Sequence, residues 1–399
     1  MKVLQVSFTY PEGSNARILQ QIHERLTEYG HSSYISYGRG KTCESQNVYK
    51  CANELECVLH SIQSLLFGVD FGYSYFSTLK LLTYIKVNKF DLVHLHGLNG
   101  HFVNAYKLLD FLKKNNIPVV ITMHSENLYT AGCEHAFDCV KWEKECKDCS
   151  RIKGLVSQCF RDDAFYCFSR IKNCYSDSGF AMVGVSEWLT SRAKKSAVFS
   201  ESQASFYTIN NGVDTSVFRH LPNIDRKITK GTDYKYTLLH VTPNFSNKNK
   251  GGGYILELAN RMKDSLFIIV GNGIPAHLPE NVMGYGPVTD SNQLASIYNS
   301  ADVTILTSKR ETFSLVCAES LCCGTPVAGF KSGGPESIAI KEYTEFVEYG
   351  NIDELHNVIK GMLKSAFDRR ELSKLAAERY SSRRMADEYI KLYQKMIGI

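Results

Sequence analysis

Residues 302–319 have the sequence DVTILTSKRETFSLVCAE, and this stretch indicates the fold. Its first six residues form an apolar run typical of a buried parallel strand. Residues 313–323 have the character of a helix, and Gly324 and Pro326 supply the signals that end it. A buried strand that turns directly into a helix is the repeating unit of doubly wound α/β sheets, which bind ligands beside the carboxyl ends of their strands.

Two glutamates flank this predicted strand-to-helix turn. Glu311 precedes the helix, and Glu319 lies about 10 Å further along the axis at ~1.5 Å per residue. The backbone N–H groups of Phe313, Ser314 and Leu315 lie between them, and N–H groups at a helix start suit a phosphate. A lone glutamate here would by default be a solvated carboxylate favoured by the helix dipole. The pair instead indicates an extended ligand such as a nucleotide diphosphate sugar.

The alternation of strand and helix continues through all 399 residues, which exceed one typical core, so we expect two Rossmann-like domains of the α/β class. Predicted strands span residues 2–8, 91–95, 118–124, 180–185, 236–241, 266–270, 302–307 and 326–330. We place the N-terminal domain at residues 1–205 and the C-terminal domain at 206–383. The amphipathic helix over 384–399 is expected to pack back on the first domain rather than to anchor a membrane.

The composition excludes several classes of function. No segment interleaves clustered arginine and lysine with exposed aromatic residues, so nucleic acid is not an expected partner. The chain starts with an apolar strand instead of a secretory signal, and no apolar stretch approaches the ~20 residues of a membrane span. We therefore expect a cytoplasmic protein. Its net charge of +5 suits scattered surface lysines at least as well as peripheral contact with an anionic inner membrane or a phosphorylated acceptor.

Thirteen cysteines without a secretory signal indicate reduced thiols. Cys133, Cys139, Cys146 and Cys149 have a spacing compatible with a structural zinc site, and the last two form a Cys-x-x-Cys pair. Buried thiols that bind no metal explain the same residues equally well. Any zinc held there would brace a loop and would take no part in catalysis.

Several short motifs accompany the two glutamates. They are Asn211-Gly-Val-Asp214, Lys250-Gly251, Ser332-Gly-Gly-Pro-Glu336, Gly13-Ser14, His94-Leu-His96, Met123-His124, Gly132-Cys133 and Ser186-Glu-Trp-Leu189. With these motifs the chain resembles family 4 of the retaining glycosyltransferases over nearly its whole length. Those of the first half resemble enzymes of bacterial capsule, colanic-acid and other exopolysaccharide assembly. The resemblance implies the GT-B fold, in which an acceptor-side domain and a nucleotide-sugar donor domain face a central cleft.

The resemblance also implies a role for each glutamate and for one lysine. Glu319 would accept hydrogen bonds from the ribose hydroxyls, which suits an ionised carboxylate because it can only accept. Glu311 would contact the donor sugar and stabilise charge. Lys250 would balance the charge that the departing nucleoside diphosphate gains. The chain has no Asp-x-Asp motif for a metal, so we expect no catalytic cofactor.

Further positions of the resemblance concern the phosphates and the base. The arginine that usually precedes Lys250 is absent, since residues 244–246 are Asn, Phe and Ser, and Lys248 is the candidate for a second positive charge. A solvated loop would contain the same Asn-Lys-Asn-Lys sequence. Gly271 and Gly273 follow another predicted strand, where they would line the base.

In the first half, Gly13 and Ser14 would approach the diphosphate or the acceptor, since glycine permits close backbone contact. His124 matches the histidine that contacts the donor sugar, although Ser125 stands where an aspartate is common. His96 has a similar location, and a structural histidine with its hydrogen bonds satisfied explains it about as well.

The implied reaction transfers a sugar from a UDP- or GDP-sugar to a growing glycan, expected to be lipid-linked, with retention at the anomeric carbon. The acceptor hydroxyl would attack on the face from which the diphosphate leaves. One alternative is a non-catalytic subunit that binds a nucleotide sugar, and another is an epimerase or phosphorylase of the same fold. A dehydrogenase is disfavoured because the first strand-to-helix turn lacks Gly-x-Gly-x-x-Gly.

Overall fold

The structure is a computed structural model that describes residues 1–149, 161–222 and 234–399. The chain forms two compact units. The first comprises Met1–Asn210 together with Met385–Ile399, and the second comprises Asn211–Arg384.

The first unit is built on a parallel sheet. Its strands are β1 (Lys2–Thr9), β2 (Ser32–Arg39), β3 (Val48–Lys50), β4 (Leu92–His96), β5 (Val119–Met123), β6 (Ala181–Gly184) and β7 (Ser205–Thr208). Its helices are α1 (Ser14–Glu28), α2 (Glu54–Phe67), α3 (Tyr75–Asn88), α4 (Ala105–Lys114), α5 (Ala164–Tyr175) and α6 (Glu187–Lys194). The strand order is β3-β2-β1-β4-β5-β6-β7, and each neighbouring pair is parallel. The chain therefore reverses its direction across the sheet between β1 and β4.

The second unit repeats this design. Its strands are β8 (Tyr236–Asn244), β9 (Ser265–Asn272), β10 (Val282–Gly286), β11 (Val303–Leu306), β12 (Val327–Phe330) and β13 (Thr344–Val347). Its helices are α7 (Gly252–Arg261), α8 (Ser291–Ser300), α9 (Leu315–Cys322), α10 (Gly334–Ser337), α11 (Ile352–Met362) and α12 (Arg369–Tyr380). The order β10-β9-β8-β11-β12-β13 is again parallel throughout. The predicted α/β class with two doubly wound sheets is confirmed.

Complete burial explains why the central strands could be predicted from the sequence. Every residue of β4, β5, β11 and β12 is buried, because helices cover both faces of each sheet. Such strands are continuous apolar runs, and their observed ends lie within one or two residues of the predicted ones. The edge strands β3, β10 and β13 are more exposed and more polar, so no comparable apolar run marks them in the sequence.

The final helix α13 (Ser382–Ile397) belongs mostly to the first unit. Met385, Tyr389 and Tyr393 on this helix join the hydrophobic core formed by α1, β1, β4 and β5. Burial of each such side chain stabilises the fold by about 1.5–3 kcal/mol. An ion pair fixes the register of the contact, since Nε of Arg25 on α1 donates to Oδ1 of Asp387 at 2.7 Å and Nη2 donates to Oδ2 at 3.1 Å.

A buried polar chain links α13 to the centre of the first sheet. The Tyr393 hydroxyl lies 2.6 Å from Nδ1 of His94 on β4, and Nε2 of that ring lies 2.7 Å from Oγ1 of Thr122. Thr122 in turn bonds to the Tyr389 hydroxyl at 2.8 Å. Both ring nitrogens of the fully buried His94 are therefore satisfied, as buried polar groups require.

Removal of the Tyr393 hydroxyl should leave Nδ1 of His94 buried without its partner. We expect Tyr393→Phe to lower the free energy of unfolding by about 1–3 kcal/mol, measured by chemical denaturation. Tyr389→Phe is the matched control and should cost less, because Thr122 keeps its bond to His94. Equal losses of unfolding free energy in the two variants would show that the bond from Tyr393 to His94 stabilises the fold no more than the bond from Tyr389 to Thr122.

Candidate functional site

The carboxyl edge of the second sheet has a switch point between β8 and β11. The chain leaves β8 toward β9 and β10 on one side and returns to β11 on the other. The loops after these two strands diverge, and open α/β sheets bind ligands in the crevice that such divergence creates. Lys250 follows β8 and Glu311 follows β11, so the two residues flank this point.

Lys250 and Glu311 form an ion pair across the switch point. The Lys250 ammonium donates to Oε1 of Glu311 at 2.7 Å, and their side chains are 25% and 22% exposed. Partial burial strengthens the attraction relative to a fully solvated pair and leaves both groups accessible to a ligand. The sequence predicted both residues separately, whereas their direct contact is a result of the fold.

Backbone contacts hold the two loops together. The Thr307 hydroxyl donates to the Lys250 carbonyl at 2.9 Å, and Lys309 N–H donates to the Asn249 carbonyl at 2.8 Å. Gly251 has φ +70°, and a Cβ atom there would lie 2.2 Å from the Thr307 carbonyl oxygen. Glycine is therefore required at this crossing for both backbone conformation and space.

Glu311 is also fixed through the loop after β12. Its N–H donates to the Ser332 carbonyl at 3.0 Å, and Gly334 N–H donates to the Glu311 carbonyl at 2.8 Å. The N–H of Gly333 donates to both carboxylate oxygens of Glu336, at 3.0 and 2.9 Å. The loops after three neighbouring strands therefore support one carboxylate.

Glu319 lies on the buried side of α9 and is 6% exposed. The Tyr298 hydroxyl on α8 donates to its Oε2 at 3.1 Å. Burial, followed by the charge of Glu319, raises the pKa of Tyr298 well above its usual value, so the hydroxyl stays protonated and remains a donor. Tyr298 was missed in the sequence because nothing in its own segment indicates a partner 21 residues away.

The helix after Glu311 begins two residues later than predicted. Ser314 is the N-cap at φ +77°, its Oγ accepts from Cys317 N–H at 3.3 Å, and the helix starts at Leu315. The Phe313 ring is buried and lies against Tyr380 at 6.2 Å between centroids. The predicted anion-binding N–H groups thus belong to a capping turn and the first helical residue, and their role stays a prediction.

Gly271 and Gly273 lie at the end of β9, beside the end of β8. Gly271 has φ +143°, and an added Cβ would lie 1.8 Å from the Thr242 carbonyl oxygen. Gly273 has φ +68°, with the Asn244 side chain similarly close. Both are required by the backbone itself, so a role in holding the base stays a prediction. Lys248 has an exposed side chain in the short 3-10 helix Lys248–Lys250.

A buried histidine behind Lys250 was not foreseen. Nδ1 of His240 on β8 lies 3.0 Å from the Ile305 carbonyl and donates to it, while its buried Nε2 has no partner among the described residues. Burial lowers the pKa of His240 to about 4, and the nearby charge of Lys250 acts in the same direction. The imidazole is neutral, so it adds no charge to the site.

The first unit brings together two of its predicted residues. Nε2 of His124, just after β5, lies 3.5 Å from Nδ1 of His96, and Nε2 of His96 lies 3.1 Å from Oε1 of Gln5. Burial lowers the pKa of His124 to about 4. A neutral His124 can donate or accept a hydrogen bond but carries no charge at neutral pH. Gly13, at φ +105°, caps α1, and Ser14 is its exposed first residue.

The four cysteines of the predicted zinc site lie within the described residues. Burial, with the charges of Cys133, Cys139 and Cys149 adding to it, raises the pKa of the Cys146 thiol to about 12. Across residues 1–149, 161–222 and 234–399, however, no group of three or more histidine, cysteine or acidic side chains is arranged to hold a metal ion. The zinc site thus stays a prediction that elemental analysis of the purified protein would test.

Comparisons with known proteins agree with this architecture. Residues 247–379, which contain Lys250, Glu311 and Glu319, match the family model described as glycosyl transferases group 1. The chain is 20% identical to the proposed colanic acid biosynthesis glycosyl transferase WcaC of Escherichia coli (strain K12), over 99% of this chain and 100% of that protein. It is 21% identical to N-acetyl-alpha-D-glucosaminyl L-malate synthase of Bacillus anthracis, over 77% of this chain and 75% of that protein.

Solved structures show the same fold. Sucrose-phosphate synthase from Thermosynechococcus elongatus superposes with a TM-score of 0.68 at 15% identity, covering 100% of both chains. HepE of Anabaena, in complex with UDP-glucose, has a TM-score of 0.68 at 14% identity, covering 99% of this chain and 100% of that one. The chain therefore has the GT-B fold that the resemblance implied. Its residues 247–379 form a glycosyl transferases group 1 domain, and the resemblance stated from the sequence is confirmed.

The lowered pKa of His124 has a consequence for stability. The unfolded chain binds a proton at this histidine below its ordinary pKa of 6.5, whereas the folded chain resists the proton until about pH 4. Stability should therefore be complete above pH 6.5 and decrease as the pH falls below it, with this residue contributing about 2 kcal/mol of loss at pH 5. Chemical denaturation of His124→Gln at pH 7.5 and 5 should show a smaller loss than the wild type. An identical pH dependence in the two proteins would contradict the assignment.

Proposed function

We propose that the chain is a retaining, metal-independent glycosyltransferase that moves a sugar from a UDP- or GDP-sugar to a growing glycan. The observation that carries the proposal is the Lys250–Glu311 ion pair at the switch point of a group 1 glycosyltransferase domain. A cation and a carboxylate at this position suit the two chemically different parts of such a donor, its diphosphate and its sugar. Glu319 on α9, held by Tyr298 on the preceding helix α8, provides an acceptor for ribose hydroxyls.

The ion pair suggests how the donor is accommodated. A diphosphate competes with Glu311 for the Lys250 ammonium, because it carries more negative charge and offers several acceptor oxygens. Glu311 can then accept hydrogen bonds from the sugar hydroxyls. As the bond between the sugar and the diphosphate breaks, charge grows on the leaving oxygen, and a cation already in place stabilises that charge more than it stabilises the ground state. His124, as a neutral imidazole, is suited to a sugar hydroxyl.

Names of similar proteins support the choice of substrates. HepE, whose structure contains UDP-glucose, supports a uridine nucleotide as the first donor to test. WcaC, named for colanic acid biosynthesis, and WaaG, named for lipopolysaccharide biosynthesis, support an acceptor in bacterial surface polysaccharide assembly. We include in the proposal a lipid-linked acceptor and action at the cytoplasmic face of the inner membrane. In the described part of the chain, no helix has the length and apolar character needed to cross a bilayer.

Two substitutions should separate the roles of the paired residues. Lys250→Ala should lower kcat/KM for donor turnover by about 100-fold and also weaken binding of the nucleoside diphosphate, because the stabilising cation is gone. Glu311→Gln should also lower turnover, yet bind the nucleoside diphosphate at least as tightly, because a like charge is removed while Lys250 remains. Turnover is measured with UDP- and GDP-sugars, and binding by titration calorimetry.

The matched control is Glu257→Gln, which removes the carboxylate partner of Arg261 on α7. It deletes an ion pair of the same unit and should leave turnover and binding unchanged. Thermal-shift screening of the wild type against UDP, GDP and their sugars identifies the donor beforehand. Nucleotide binding without turnover would instead support a non-catalytic subunit, and absence of nucleotide-sugar binding by the folded protein would overturn the proposal.

A further inference from the structure

Helix α2 of the first unit has its polar side inside and its apolar side outside. Its buried residues are Cys57, His60 and Ser64. Both nitrogens of His60 are bonded, to the Ser74 hydroxyl and to the Asp70 carbonyl at 2.8 Å each, and the Ser64 hydroxyl donates to the Val69 carbonyl at 3.0 Å. These buried hydrogen bonds fix the rotation of the helix, so the outward direction of its apolar side is a property of the fold.

The outer side of α2 is a continuous apolar stripe. It consists of Leu55, Val58, Leu59, Ile62, Leu65, Leu66 and Phe67, which are between 38% and 67% exposed. We call these residues the α2 surface. Leu55, Val58, Leu59, Ile62, Leu65 and Leu66 recur at spacings of three and four, which places them on one side of the helix, and Phe67 lies at its C-terminal end. Scattered exposed apolar residues are ordinary, whereas a contiguous group of this size marks an interaction site.

Neighbouring helices extend the α2 surface at both ends. The Glu56 carboxylate accepts from the N–H groups of Phe76 and Ser77, which places the exposed Phe76 beside the first turn of α2. At the other end, the thiol of Cys167 lies 3.4 Å from the Gly68 carbonyl. The start of α5, which carries the exposed Phe165 and Tyr166, is therefore next to Phe67.

Exposed lysines lie on α3, the helix that extends the α2 surface, while the acidic pair before α5 is engaged, since Asp163 pairs with Arg161 at 3.0 Å and Asp162 accepts from Cys149 N–H at 2.7 Å. Helix α3 has no acidic residue, and Lys80 and Lys86 lie on its exposed side beside Leu79 and Val87. The ammonium of Lys107 lies 4.0 Å from the centre of the Tyr75 ring.

The acidic side chains of α2 are already used within the fold. Glu54 pairs with Lys50 at 3.1 Å, and Glu56 caps the start of α3. An apolar stripe with aromatic residues at its ends and exposed lysines on the adjoining helix has the character of a surface that binds anionic lipid.

We propose that the α2 surface docks the first unit onto an anionic lipid bilayer, with α2 lying in the plane of the interface. A helix of 14 residues is about 21 Å long, too short and too one-sided to span, but suited to burying one face among headgroups and upper acyl chains. A second copy docking through the same surface would bring the same α3 lysines to the contact, and α3 offers no acidic residue to pair with them. Anionic lipid supplies the negative charge that would pair with these lysines.

This inference deepens the proposed function, whose lipid-linked acceptor would lie in such a bilayer. Lipid binding is nevertheless measured without any sugar transfer, so the two can fail separately. If the protein transfers sugar but does not bind vesicles, only the docking proposal is contradicted. If it binds vesicles but transfers no sugar, only the proposed transferase function is contradicted.

The test is co-sedimentation of the full chain with phosphatidylethanolamine vesicles, with and without phosphatidylglycerol. We expect binding to the anionic vesicles that weakens as salt is added. The double variant Leu59→Ser with Ile62→Ser should reduce binding by about tenfold or more, because two apolar side chains that would insert into the bilayer are lost. Lys80→Gln with Lys86→Gln should reduce binding several-fold and remove most of the preference for phosphatidylglycerol.

Matched controls make the same kinds of substitution outside the α2 surface. Val140→Ser with Ile399→Ser removes two exposed apolar side chains outside the α2 surface, and Lys374→Gln with Lys391→Gln removes two exposed lysines. Both should bind like the wild type, and melting curves verify that every variant is folded. The inference is overturned if the wild type does not bind anionic vesicles, or if the Leu59 and Ile62 variant binds normally. It is also overturned if light scattering shows a dimer that this variant dissociates.

Discussion

A lysine and a glutamate 2.7 Å apart, each on a loop at the carboxyl edge of the second sheet, are the contact on which the candidate site depends. Lys250 would be an exposed loop lysine without the crossing that Gly251 permits beside Thr307. Glu311 would be an ordinary carboxylate without the loop after β12 that holds its backbone on both sides. The switch point brings these loops together because the chain reverses direction between β8 and β11, and the parallel sheet aligns the ends of both strands.

The electrostatics of the site follow from this pairing. Nearby ionisable groups are kept from adding charge: His240 is neutral because it is buried, and Tyr298 stays protonated as a donor to Glu319. In the first unit, burial likewise keeps His124 neutral. Both units thus use burial to set protonation states, and in the second it keeps His240 from adding positive charge beside Lys250 and Glu311.

The first unit illustrates which features a sequence conceals. Its central strands are buried on both faces, so their apolar runs are recognisable, and α13 shows the same helical periodicity in sequence and structure. Helix α2 is different, because its apolar side faces outward and its His60 side faces inward. Periodicity identifies an apolar side but not what covers it, so that orientation became evident when the hydrogen bonds of His60 and Ser64 were known.

The fold class and the strand-to-helix turns could be predicted from the chain alone, because local apolar periodicity and turn residues encode them directly. Glu311, Glu319 and Lys250 were identifiable as candidates for that reason. Three features could be seen only in the folded chain: Lys250 contacts Glu311 across 61 residues, Tyr298 supports Glu319, and α2 presents its apolar side to the surroundings. Each of these depends on which segments the sheet topology makes neighbours, and that information is carried by long-range packing rather than by any single stretch of sequence.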